Sequence, residues 1–167
     1  MIFRQMAVAS AWLLLAVTAR AQTCNSHIPV VAADSRYEIL AGEAEVRDIR
    51  TGLVWQRCSL GQSWNAGRCN GTASTVTWQG ALQAARATGQ VWRLPDIKEL
   101  QSLVEEACQV PAINTVLFPG TVNDWYWSSS PVVAYPAFAW LVHFGSGNSY
   151  GDAKSGERLV RLVRSVP

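Results

Sequence analysis

The stretch Val91–Val104, VWRLPDIKELQSLV, constrains the fold more than any other part of the chain. Val91, Trp92 and Leu94 are strand formers bounded by Gly89 and Pro95, the punctuation of a short buried strand. Asp96 is a good helix N-cap, and Glu99 can reach back to the Asp96 amide, giving a capping box with Asp in place of Ser or Thr. Ile97, Leu100, Leu103 and Val104 then share one helical face, with Lys98, Gln101 and Glu105 turned outward. Any architecture for this chain must pass from a brief apolar strand straight into a capped amphipathic helix, and such patterned apolar residues mark a core.

At the start, Arg4 precedes an apolar run from Met6 to Val17, and Ala19-Arg20-Ala21 supplies the small residues of a signal-peptidase site. Residues 1–21 therefore read as a signal peptide. No later stretch approaches roughly 18 consecutive apolar residues, so a secreted or periplasmic protein without a membrane span is expected. Cys24 lies near the cleavage point, but Ala21-Gln22-Thr23 does not make a lipobox. The remaining residues, about 146, suit one domain. Taking Arg4 and Arg20 from the 14 basic residues leaves twelve against 12 acidic ones, a balance that argues against general affinity for nucleic acid.

All four cysteines, Cys24, Cys58, Cys69 and Cys108, lie in the exported part, where disulfides are the default. Cys58 and Cys69 flank a short loop, and their closeness favours joining them, which leaves Cys24 with Cys108. Four cysteines nevertheless permit three connectivities. There is no C-x-x-C pair, and His27 and His143 are isolated, so no metal site is expected from these residues.

In chain order, residues 22–45 suggest an N-terminal tether with a short strand near Tyr37–Leu40, and residues 46–167 the domain proper. Two strands flank the Arg50-Thr51-Gly52 turn, with Trp55 as a core residue. Thr77 caps a helix whose Trp78, Ala81, Leu82 and Ala85 share a face, with Gly89 as its stop; its small residues suit close packing with the other helix around a common core. The run from Cys108 to Tyr126 reads as a long loop anchored by Phe118. Three strands close the chain: Tyr126–Ser130, ending at Pro131; Phe138–Phe144, alternating; and Arg158–Arg164 after a Gly- and Ser-rich turn. The pattern predicts an α+β domain, two helices packed on short antiparallel strands with the first and last strands paired, stabilised by disulfides.

Four ordered motifs, DIRTGLVWQRC, WRLPDIKELQSLV, YWSSSP and VRLVR, carry a resemblance to the C-terminal domain family of the Legionella collagen-like adhesin, covering about residues 46 to 164. A weaker likeness, in the R-L-P segment and the closing V-R strand, is to the C-type-lectin-like fold of sulfatase-modifying proteins. The resemblance implies a C-type-lectin-like arrangement and recognition of glycans, sulfated polysaccharides foremost, and leaves room for a homo-oligomer such as a trimer. The chain itself has no Gly-X-Y stalk.

No G-x-S-x-G elbow, H-E-x-x-H helix or Gly-rich phosphate loop is present. Ser128, Ser129 and Ser130 with His143 are the nearest approach to a nucleophile and base, and they lack a third partner. No enzyme is expected. No cofactor is expected either, calcium at Asn123-Asp124 being the one candidate. Two residue sets remain for binding. Trp64, Trp125, Tyr126, Trp127, Tyr135 and Tyr150 could stack on sugars or anchor a protein. Arg93, Arg158, Arg161 and Arg164 could present guanidinium groups to sulfate or carboxylate. The expectation is an exported, non-catalytic module whose partner is a glycan or cell-surface ligand. A structural or protein-interaction role in a surface assembly is the alternative, and an enzyme of unknown chemistry the third.

Overall fold

A computed structural model describes residues 22–89 and 91–166; the expected leader, residues 1–21, lies outside them. In chain order the elements are β1 (Thr23–Cys24), a 3-10 turn (Asp34–Arg36), β2 (Tyr37–Ile39), β3 (Glu45–Asp48), β4 (Leu53–Gln56), β5 (Ser63–Asn65) and β6 (Arg68–Asn70). Then follow α1 (Trp78–Ala87), α2 (Ile97–Gln101), β7 (Cys108–Gln109), β8 (Trp125–Val132), β9 (Tyr135–His143), β10 (Ser149–Ala153) and β11 (Val163–Ser165). The fold is α+β, built from small antiparallel sheets and two helices. One sheet has the order β11-β4-β3-β2, a second β10-β9-β8, and the pairs β1-β7 and β5-β6 stand apart. The last strand does pair with an early one, Val163 opposite Trp55.

Both helix starts follow their sequence signals. The Asp96 side chain accepts from the Glu99 amide while the Glu99 carboxylate accepts from the Asp96 amide, a complete capping box. The Thr77 hydroxyl accepts from the Gly80 amide. The α2 helix is nevertheless only 5 residues long. The Ser102 hydroxyl donates to the Glu99 carbonyl, and Leu103 and Val104 donate three residues back, so the chain tightens into turns instead of extending the helix. That tightening corrects the expected direction of Glu105. Its carboxylate is turned inward, accepting from the amides of Val31, Ala32 and Ala107.

These bonds also tie down the segment 22–45. Disulfides join Cys24 to Cys108 and Cys58 to Cys69. The Gln22 amide donates to the carbonyls of Pro111 and Ile113, Ala32 and Tyr37 are buried, and β2, the short strand anticipated there, forms the sheet edge beside β3. Burial pushes the Tyr37 phenol up to about 12. The Arg50-Thr51-Gly52 turn is held by Asp48, whose carboxylate accepts from the Arg50 amide, the Thr51 hydroxyl and the Arg36 guanidinium.

Three further differences have non-local causes. Val91–Leu94 is not a strand: only Arg93 bridges to Val163, and Val91 is exposed. Ser149–Ala153, which reads as a turn, is strand β10, because β9 offers it a ladder. β8 runs past Pro131 to Val132, with the ladder shifted between Trp127 and Pro131, as a strand proline requires. Regular strand at the C-terminus covers only Val163–Ser165. Before it, Leu159–Val163 is extended and fully enclosed, exchanging hydrogen bonds with Trp125, Trp127, Leu60 and Gln56 in turn.

The two helices do not share a core cluster. Side chains alternate along β8, so Tyr126 joins a cluster with Leu100, Leu103, Phe118, Val142 and Phe144, while Trp127 joins Ala81, Ala85, Leu141, Val160 and Leu162. The β8–β9–β10 sheet thus separates α2 from α1.

Candidate ligand-binding site

Strand β9 and Phe144 just after it carry the alternation seen in the sequence, with Phe138, Trp140, Val142 and Phe144 on one face and Ala139, Leu141 and His143 on the other. Its 9 residues span about 30 Å, whereas the 5 residues of α2 span about 7.5 Å. The helix can cover only one end. Val142 and Phe144 lie buried beside Leu100 and Leu103, whereas Phe138 and Trp140 run out beyond them and keep part of their surface in water.

Around those two rings is an open groove of about 480 Å³, lined by Val132, Tyr135, Phe138, Trp140, Ser149, Tyr150 and Gly151. Tyr135 and Phe138 meet edge to face at 6.0 Å between centroids. Gly151 stands opposite Trp140, and a methyl group there would come within 2.9 Å of Val132, so its bareness keeps the floor open. The Ser149 hydroxyl accepts from Gln101 at 2.8 Å, which leaves its proton free to donate. Tyr150 lies 6.2 Å from Trp125, whose ring in turn meets His143 at 4.8 Å. The lining contains no carboxylate, ammonium or guanidinium group.

Most residues singled out in the sequence lie elsewhere. Tyr126 and Trp127 are fully buried, and are corrected to core residues: the Tyr126 hydroxyl bonds Ser59 and the Val122 amide, and the Trp127 indole donates to the Val76 carbonyl. Trp64 has one face taken by the Arg57 guanidinium at 3.8 Å. Trp125 is half-buried on the other face of the sheet, packed against the Trp127 cluster.

The arginines do not converge. Arg93 forms a two-pronged pair with Glu99, both contacts 2.6 Å, Arg158 pairs with Asp152, and Arg164 with Glu45 beside the Trp92 ring. Burial works to raise the Glu99 carboxyl, but the bonds from Arg93 and the Asp96 amide hold it below its ordinary value.

Arg161 is the clearest correction. It is wholly enclosed, donating to the carbonyls of Gln56 and Arg57 and to the Thr121 hydroxyl, with Phe118 against it. Desolvation lowers its pKa. It ties the last segment to β4 and the 116–121 loop and is inaccessible to a ligand.

Two hydroxyls of the serine run are spent on structure as well. Ser128 donates to the Trp140 carbonyl and Ser130 accepts from the Ile97 amide, while His143 accepts from the Gly145 amide through Nδ1. Asp124 accepts from the Trp125 amide, and among the described residues no three acidic, histidine or cysteine side chains gather at one point. No described helix is long and apolar enough to cross a membrane.

Tyr135 and Tyr150 were legible as exposed rings; Phe138 and Trp140 were legible only as one face of an alternating strand, because alternation does not say where a covering helix stops. A family model described as the Lcl C-terminal domain matches residues 44–164. No curated protein matches the chain.

Proposed function

The chain belongs to the Lcl C-terminal domain family, and from that premise we propose an exported, non-catalytic binding module, C-type-lectin-like in arrangement, that recognises glycans through the aromatic groove. The observation that carries this reading is the row of partly exposed rings, Tyr135, Phe138 and Trp140, held on a rigid sheet beside hydroxyl and main-chain groups. Pyranose rings present an apolar face edged by hydroxyls, and an aromatic platform with a polar rim complements both. Two disulfides support residence in an oxidising compartment, secreted or periplasmic.

The test is retention of the oxidised chain on neutral, carboxylated and sulfated polysaccharides at low and physiological salt. Retention that falls on Trp140→Ala while circular dichroism stays native supports the reading. A folded chain retained by none of them sinks it. A protein contact is the second reading, favoured by the apolar hairpin tip, where Val133 is 94% exposed.

A further inference from the structure

We infer that the groove takes a neutral oligosaccharide, stacked on Tyr135, Phe138 and Trp140 and hydrogen-bonded along the free edge of β10. This rests on the glycan reading and narrows it to uncharged sugars.

The edge follows from the register of β10 against β9. His143 donates to the Asn148 carbonyl and Lys154 to the Ala137 carbonyl, which places the ladder bonds at residues 148 and 154. In an antiparallel pair such bonds recur at every second residue. The even-numbered residues of β10 therefore bond inward to β9, and the amides and carbonyls of Ser149, Gly151 and Ala153 point away from it. Ala153 satisfies both groups locally, its amide on Asp152 and its carbonyl on Gly156. Among the described residues nothing meets the outward groups of Ser149 and Gly151. Two donors and two acceptors thus stand at the rim of the groove, next to the Ser149 hydroxyl, whose proton is free.

That set matches sugar hydroxyls, each of which both donates and accepts. It does not match sulfate or carboxylate, because an anion needs donors alone and the carbonyls would repel it. Two cations that flank β10 are already engaged. Lys154 donates to the Pro136 carbonyl and lies over the Trp78 ring at 4.2 Å, and Arg158 is paired with Asp152. A sulfated ligand would bring charge to an apolar floor whose own lining holds no cation.

The experiment titrates the oxidised full chain, by tryptophan fluorescence and calorimetry, with neutral hexaoses of glucose, mannose and N-acetylglucosamine and with the chemically sulfated form of each. The expected result is binding of at least one neutral hexaose, unchanged between low salt and about 0.15 M salt. Tyr135→Ala and Phe138→Ala each weaken it by roughly tenfold, the loss of one stacked ring. Trp64→Ala, remote from the groove, leaves it unchanged. Binding of sulfated forms alone, fading with salt, overturns this inference and leaves the glycan reading standing. Neutral binding that survives both groove variants overturns the assigned site. No binding of any sugar by a folded chain, with an apolar hexapeptide bound instead, overturns both readings in favour of strand addition at β10.

Discussion

The two ends of the β8–β9 hairpin share one alternating pattern and have opposite fates. At the inner end Tyr126, Val142 and Phe144 are sealed by α2, by Phe118 and by the 110–113 loop, where Ala112 donates to the Phe144 carbonyl. At the outer end Phe138 and Trp140 continue the same spacing, with Tyr135 beside them, and stay partly open. Alternation specifies which face a side chain takes, and the reach of non-local elements decides whether that face is closed. Apolar surface left open on a rigid sheet is then available for binding.

The contrast can be broken from either side. The largest effect is expected from removing the disulfide that holds the inner cover, Cys24→Ser with Cys108→Ser. It closes a loop with a sequence separation of 84, and chain entropy predicts a loss of about 4–5 kcal/mol in urea unfolding. An unchanged midpoint would mean the inner end does not depend on the N-terminal segment. Next is Phe144→Ala, which opens a cavity in a sealed cluster and should cost roughly 3–5 kcal/mol. The matched change Phe138→Ala, at the open end, should cost under about 1 kcal/mol. Equal losses from the two would erase the distinction.

Acid acts on the other sheet, through Asp48 of β3. Burial works to raise its carboxyl, but bonds from Arg36, Thr51 and the Arg50 amide outweigh this and hold it below its ordinary value. Its folded value lies below the unfolded one, so it contributes stability at pH values above the ordinary carboxylate range, and that contribution is lost as pH falls through the folded value. Urea midpoints measured between pH 6 and pH 2 should therefore decline toward acid, and less so in Asp48→Asn. The smallest effect is expected at the outer tip: Val133→Lys should shift stability by no more than about 0.5 kcal/mol in thermal unfolding.

Much of the scaffold was legible because its signals are local. The capping box of Asp96 and Glu99, the Thr77 cap, the Arg50-Gly52 turn and the two faces of β9 each follow from residues within a few positions of one another. The sequence proximity of Cys58 and Cys69 likewise favoured the pairing observed, leaving Cys24 for Cys108. The arginines were harder to read. The sequence offered them as guanidinium groups for an anion, yet each answers to a different partner, and Arg161 bonds carbonyls more than 100 positions away.

The sequence by itself determined an α+β domain with two helix starts, two disulfides, paired early and late strands and membership of one family. Only the tertiary structure decided that Tyr126, Trp127 and Arg161 lie inside, that Glu105 turns inward to the amides of Val31 and Ala32, and that β10 is a strand with an open edge. It also decided that the groove exists at all. The physical reason is that propensity and periodicity act over a few residues, whereas burial depends on how far one element reaches across another, and a helix of 5 residues is too short to close a strand of 9.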